Sequence, residues 1–404
     1  MQILRTGAWI TQERIRVYSW MLIVLWCVGI GGLILTASPN LLDFSGRPIG
    51  SDFSNVWSAG ELALSGNGAG AYDITAHHDV QKRVFQDPDV PYFGWHYPPF
   101  FLMIAAVLAL MPYALALGVW MALSLPLYVS VIRAILPDDL ARLSALAFPA
   151  VAINVIHGQN GFITAGLFGV ALIQLDRRPV LSGIAFGLLA YKPHFGLLIP
   201  LVLALSGRWR TFSAATVTVL VLSAVVTALF GVQVWPAFFD STTFTREVVL
   251  EGGALPWFKQ QSIFGAVRLW GGGMVAAYAA QAVALVVAGA ATLWLWKQPV
   301  RQDLKSAGLV CAALLVSPYV LDYDFVLLAL AIAWTVRHGL QTSFLAWEKT
   351  ALAFVWGAPL ISRVAAEAVM LPIGVIAMVV LMVLIVAHAR HDVRSTTVSR
   401  RRKS

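Results

Sequence analysis

The chain has 404 residues, of which 59% are hydrophobic and only 12% charged, with a mean hydropathy of +0.77. A soluble domain needs about 25% charged residues to coat its surface, so this composition excludes an ordinary water-soluble protein and assigns much of the surface to lipid. The net charge of +8 does not mark a nucleic-acid binder, because it gathers at the ends: Arg5, Arg14 and Arg16 at the start, and Arg390, Arg394, Arg400, Arg401, Arg402 and Lys403 at the finish. Basic clusters beside apolar spans are what the positive-inside rule expects.

The first apolar run, 17–37, is long enough to span and reads as an anchor. The longest polar interval follows at 38–96. Seven acids (Asp43, Asp52, Glu61, Asp73, Asp79, Asp87, Asp89) against three bases (Arg47, Lys82, Arg83) give it a net charge of −4. With a basic N-terminus inside, this loop belongs outside the cytoplasm. Within it, 56–64 and 74–85 have the pattern of short amphipathic helices, the first lying on the membrane surface.

Beyond Tyr97-Pro98-Pro99 the apolar runs fall at 100–111, 114–135, 143–156, 162–175, 181–205, 212–230, 274–296, 307–316, 325–336, 345–361 and 373–387. Allowing about 20 residues per crossing, the chain is all-α, a polytopic membrane helical bundle of roughly ten to twelve transmembrane or re-entrant helices in one membrane domain, 1–404. Arg208 with Arg210, the 297–305 linker and Arg337-His338 mark the cytoplasmic side. A second outer loop then covers 232–262, and 390–404 is a basic cytoplasmic tail. Straight alternation would put Asp176-Arg177-Arg178 outside, against the charge rule, so 143–156 or the 181–205 hairpin is expected to be re-entrant. Cys27 and Cys311 both lie in apolar runs and predict no structural disulfide.

Five polar interruptions can carry chemistry. Ser51-Asp52-Phe53-Ser54 offers either an ordinary helix N-cap or a carboxylate that takes the proton of an acceptor hydroxyl. Trp95-His96-Tyr97-Pro98-Pro99 stands where the loop re-enters the membrane, a place that suits interfacial aromatics and a first-turn proline; His96 is the residue that this leaves over. His157-Gly158-Gln159-Asn160 and Tyr191-Lys192-Pro193-His194 break apolar runs with groups that lipid cannot satisfy. Lys192 can neutralise a lipid phosphate or snorkel to an interface, and Gln159 and Asn160 can bind substrate or bond between helices. In Ser317-Pro318-Tyr319-Val320-Leu321-Asp322-Tyr323-Asp324, two acids stand beside a proline at the head of an apolar run. Nothing in the spacing of these acids demands a metal.

Taken in order, the loop aspartate, Tyr97-Pro98-Pro99, His157-Gly158-Gln159-Asn160, Lys192-Pro193 and Ser317-Pro318 before an acidic run resemble glycosyltransferase family 87, over about Asp52 to Phe325. That family includes mycobacterial polyprenyl-phosphate-dependent mannosyl- and arabinosyltransferases. The resemblance implies a GT-C membrane bundle in a bacterial cytoplasmic membrane, with its site on the extracytoplasmic face. It implies a polyprenyl-phosphate-linked sugar as donor, a lipid or glycan acceptor, and no separate cofactor or nucleic-acid partner. By that analogy Asp52 is the carboxylate near the acceptor and Lys192 a candidate for the donor phosphate. Asp322 shares the catalytic candidacy. His194, Gln159, Asn160, His157, Tyr97, His96, Asp324 and Tyr323 are expected to bind substrate. Some relatives carry a histidine where this chain has Tyr323, which passes the base role to Asp52, Asp322 or Asp324. The rival readings are a lipid-carrier flippase, which also needs a base for a phosphate but would favour internal repeats, and a glycan polymerase, whose large outer loop would come late in the chain.

Overall fold

In the computed structural model residues 1–401 are described, and among them no β-strand forms. Extended pairing is confined to two isolated bridges, Leu42 with Pro48 and Gln260 with Leu321. Seven helices are long and apolar enough to cross a bilayer: Gln12–Leu35, Tyr113–Ile135, Trp209–Phe230, Met274–Lys297, Asp322–Thr342, Glu348–Val369 and Ile373–Ser395. Four shorter apolar helices, Pro99–Ala109, Gly161–Gln174, Pro179–Tyr191 and Pro193–Leu205, supply much of the rest of the expected bundle. Three of the four open on a proline, whose missing N–H would be unbonded in a first turn anyway.

Both runs expected to depart from a straight crossing are interrupted. Asp139–Leu146 and Pro149–His157 meet at 48°, a broken span or a re-entrant loop. The 179–205 run breaks into two 3₁₀ turns, Leu189–Tyr191 and Pro193–Phe195, with Lys192 between them. Cys27 and Cys311 are free. The last helix carries the basic tail as far as Arg401, and 402–404 lie outside the described residues.

Burial sorts the spans. Gln12–Leu35 and Trp209–Phe230 are peripheral, with 6% of each apolar window buried, whereas the Asp322–Thr342 window is 72% buried and runs through the middle of the molecule. The Gln302–Leu315 helix beside it is buried almost throughout. On the peripheral helices Val17, Met21, Val24, Val28, Leu220 and Leu229 point outward, as lipid-facing side chains must in a bundle with no water around its girth.

The loop between the first span and Pro99 folds into the helices Phe53–Leu64 and Ile74–Phe85. The second has the expected bounds, and Asp73 caps it by accepting a hydrogen bond from Ala76 N at 2.8 Å. Phe53–Leu64, whose pattern suggested a helix on the membrane surface, packs its apolar face on protein. Phe53, Val56, Ala59, Gly60, Leu62 and Ala63 are all buried, and a Cβ on Gly60 would stand 2.0 Å from the carbonyl oxygen of Ala105. Small residues let this helix press into Leu102–Ala109, so its apolar face is spent on protein instead of lipid.

Candidate active site

The site begins at a helix end. Gly158 stops Pro149–His157 in the left-handed conformation (φ 62°), which a glycine adopts without steric cost. A Cβ there would also stand 2.6 Å from Cβ of Phe53, so the glycine lets two backbones close on each other. The result is a hydrogen bond from Asp52 N to His157 O at 3.0 Å, and another between Ser51 Oγ and His157 Nδ1 at 2.8 Å. These ties fix Asp52 at the head of Phe53–Leu64, yet its side chain does not cap that helix. The carboxylate turns away and accepts a hydrogen bond from Gln159 Nε2 at 2.7 Å. Tyr97 donates its hydroxyl to Gln159 Oε1 at 3.3 Å, and its own carbonyl accepts from the Tyr72 hydroxyl at 3.0 Å. Three of the interruptions seen in sequence are thereby wired into one network. Asn160 lies buried beside Tyr97.

The Ser-Pro segment joins from the other side. Asn154 Nδ2 donates to the carbonyl of Tyr323 at 3.0 Å. A Cβ on Gly161 would fall 2.2 Å from that same nitrogen, so this glycine too is a matter of space. Lys192 was expected to face a phosphate. The residue is only 4% exposed, and its ammonium donates to Asp324 Oδ1 at 2.7 Å, between the rings of Phe195 and Tyr323, each 5.5 Å away. The other Asp324 oxygen accepts from Leu321 N at 3.1 Å. Both charges are therefore committed inside the protein. His194, half-buried, packs on Phe195 and stands edge-on to Tyr319 at 6.4 Å.

Asp322 is placed differently. Its Oδ1 accepts from Tyr323 N at 3.0 Å, while Oδ2 lies 3.9 Å from an Arg363 guanidinium nitrogen, beyond hydrogen-bond reach. Arg363 in turn lies over the Phe258 ring at 5.8 Å. Lys259 shares this neighbourhood: burial lowers its pKa first and the Arg363 and Arg47 charges lower it further, while Asp52 and Asp322 oppose them. Two carboxylates, Asp52 and Asp322, thus face a partly exposed cluster of cations. Sequence reasoning missed Arg363 and Lys259. Arg363 did leave a signal, as an arginine inside an apolar 22-residue helix. Lys259 left none.

Beside His96 opens a recess of about 510 Å³ between the 38–96 loop and the Val234–Phe244 helix. Tyr72, Tyr92, Trp95 and His96 supply aromatic walls, and Asp73, Asp240 and Ser241 supply polar ones. His96 Nδ1 lies 2.8 Å from Thr245 Oγ1. Burial pushes the His96 pKa down to about 4, with Asp52 acting the other way, so the imidazole is neutral at physiological pH.

The fold and these groups define a polytopic helical membrane protein with an acid-and-base site between its loops and its central span. Residues 95–318 match the model of glycosyltransferase family 87, more than half of the chain, and the chain belongs to that family. It is a membrane glycosyltransferase. No curated protein and no solved structure matches it. The matched stretch holds Tyr97, Gln159 and Lys192, while Asp52, Asp322, Asp324 and Arg363 lie outside it; Asp52 reaches it through Gln159, Asp324 through Lys192 and Arg363 over Phe258.

Proposed function

We propose that this transferase moves a single sugar from a polyprenyl-phosphate donor to an acceptor hydroxyl on the extracytoplasmic face, with inversion and with Asp52 as general base. The observation that carries the reading is the state of the Asp52 carboxylate. It is anchored through its backbone, accepts one side-chain hydrogen bond, and is free of the capping duty that its position invites. In the step proposed, the acceptor oxygen attacks the anomeric carbon as Asp52 takes its proton. The bond from that carbon to the phosphate oxygen breaks, and polyprenyl phosphate leaves with the electron pair. Positioned proton removal of this kind contributes about 10²–10⁴-fold.

The leaving phosphate develops charge and needs cations aimed at it. Arg363 and Lys259 suit that role better than Lys192, whose charge Asp324 already neutralises. Lys192 then acts through Asp324 to hold the segment that carries Asp322 and Tyr323. An apolar groove of about 430 Å³, lined by Phe186, Leu189, Pro193, Leu197, Ile199 and Phe212 among others, suits an isoprenoid chain beside Lys192. The aromatic and acidic recess lined by His96 suits a sugar-bearing acceptor, with Asp73, Asp240 and Ser241 as its polar wall.

The test is to incubate purified protein with polyprenyl-phosphate-linked radiolabelled sugars and candidate acceptor alcohols. Expected are equimolar release of lipid phosphate and capture of sugar on the alcohol, both lost in Asp52→Asn. Sugar transfer from a nucleotide donor with no lipid requirement would overturn the donor assignment, and full activity in Asp52→Asn would overturn the base.

A further inference from the structure

A second cluster of ionisable groups lies at the other end of the central span. His338 follows Asp322 by 16 positions on Asp322–Thr342, about 24 Å along a helix at 1.5 Å per residue. There it meets His388 and Asp392, which stand four apart on the Ile373–Arg401 helix and so share one of its faces. One nitrogen from each histidine and one oxygen of Asp392 lie within 4.8 Å of one another. The two rings are 4.4 Å apart at 85°, an orientation that suits two nitrogens aimed at a common point better than stacking.

We propose that His338, His388 and Asp392 form a binding site for a divalent cation of the zinc class. Two details distinguish this from a simple hydrogen-bonded latch. First, His388 Nδ1 lies 2.9 Å from Glu348 Oε1, and Glu348 is itself fixed by Leu345 N, which donates to Oε2 at 2.6 Å. A carboxylate holding one ring nitrogen sets the tautomer and orients the other nitrogen outward, as the supporting partners of metal-bound histidines do. Among the described residues the outward nitrogen, Nε2, has only a long 3.4 Å contact with Thr342 Oγ1. Second, His338 is fully buried, and neither of its ring nitrogens makes a hydrogen bond among the described residues. Its Nε2 lies 3.0 Å from Asp392 Oδ2 without hydrogen-bond alignment. An imidazole left so has lost its water without gaining a partner, whereas a cation seated between the groups satisfies it.

Two imidazole nitrogens and one carboxylate oxygen are the donor set that zinc takes with three protein ligands, leaving a fourth position for water. The ion would tie the central span to the last helix, with Glu348 bringing in the helix between them. It plays no part in the transfer step, so it stands or falls apart from the sugar chemistry.

The experiment uses the full chain in detergent, with its affinity tag removed, stripped with a chelator and titrated with zinc alone. One bound equivalent by elemental analysis is expected, together with a melting temperature several degrees higher than in the stripped protein. Cobalt in place of zinc is expected to give the visible absorption of a tetrahedral site. His338→Asn and Asp392→Asn should each abolish the cobalt band and the melting shift, and Glu348→Gln should weaken zinc about 10–100-fold. His391→Asn, which alters an exposed neighbour, should leave all three signals intact. If the wild type binds no stoichiometric zinc, or if the equivalent survives in Asp392→Asn, which sits on a half-buried surface and threatens the fold least, the site is not a metal site.

Discussion

The site's two acidic corners use the same chemistry to opposite ends. At the inner corner Asp324 is 2% exposed, bound to Lys192 at 2.7 Å and to a backbone N–H at 3.1 Å. At the outer corner Asp52 is half-buried, and Asp322 stands 3.9 Å from its nearest guanidinium nitrogen. A satisfied buried ion pair resists new partners, which makes it a strut. A carboxylate with one hydrogen bond and unsealed cations nearby can still take a proton or admit an anion. Under the function proposed above, the inner corner is structure and the outer one chemistry.

The sharpest way to break that division is Asp52→Asn. The amide keeps the volume and loses the base, so turnover should fall by about 10²–10⁴-fold. The melting temperature should stay put, because Asp52 caps nothing and its backbone ties remain. Turnover within threefold of wild type would move the base to Asp322. At the inner corner, Lys192→Met should act on stability instead. It strands a buried carboxylate, a change that costs about 3–5 kcal/mol, and Lys192→Met with Asp324→Leu should recover much of the loss. A Lys192→Met protein that melts normally but binds donor poorly would make Lys192 a phosphate ligand and erase the distinction.

That lysine also shows where sequence reasoning stops. Its burial was legible, since a charge inside an apolar run must pair or line a cavity. The partner was not, because Asp324 lies 132 positions away and only the fold brings the two together. Asp52 was singled out with two readings open, a cap or a base, and the direction of its side chain removes the cap. The helix at Ile74–Phe85 was readable to its ends because its period and its Asp73 cap are local. The burial of Phe53–Leu64 was not, because an amphipathic face looks the same whether it meets lipid or Leu102–Ala109.

A smaller effect sharpens the outer corner. Arg363→Gln and Lys259→Gln each remove one cation from the cluster facing Asp52 and Asp322. A charged hydrogen bond contributes about 1.5–3 kcal/mol, so donor KM should rise roughly 10–100-fold for whichever residue touches the phosphate. Because Arg363 also screens Asp322, the controls are acceptor KM and melting temperature, both of which should move little. An unchanged donor KM in the double variant would return the phosphate to Lys192.

The smallest effect extends the same contrast to two histidines of the 38–96 loop. His77 is fully buried under the recess that His96 lines, edge-on to Tyr92 at 6.0 Å. Burial, with the neighbouring His96 adding to it, pushes the His77 pKa down to about 3. The folded loop therefore declines a proton that the unfolded chain accepts below about pH 6.5. Wherever the unfolded state binds more protons, stability falls as pH falls, so the stability that His77 contributes is intact above about pH 6.5 and drains away toward pH 3. His77→Phe keeps a ring against Tyr92 and removes the titration. Its melting temperature should fall less steeply than that of wild type between about pH 6.5 and 4.5, with the two curves parallel above that window. Equal slopes on the acid side would mean that His77 charges in place, and that the loop core beneath the recess is wetter than its packing indicates.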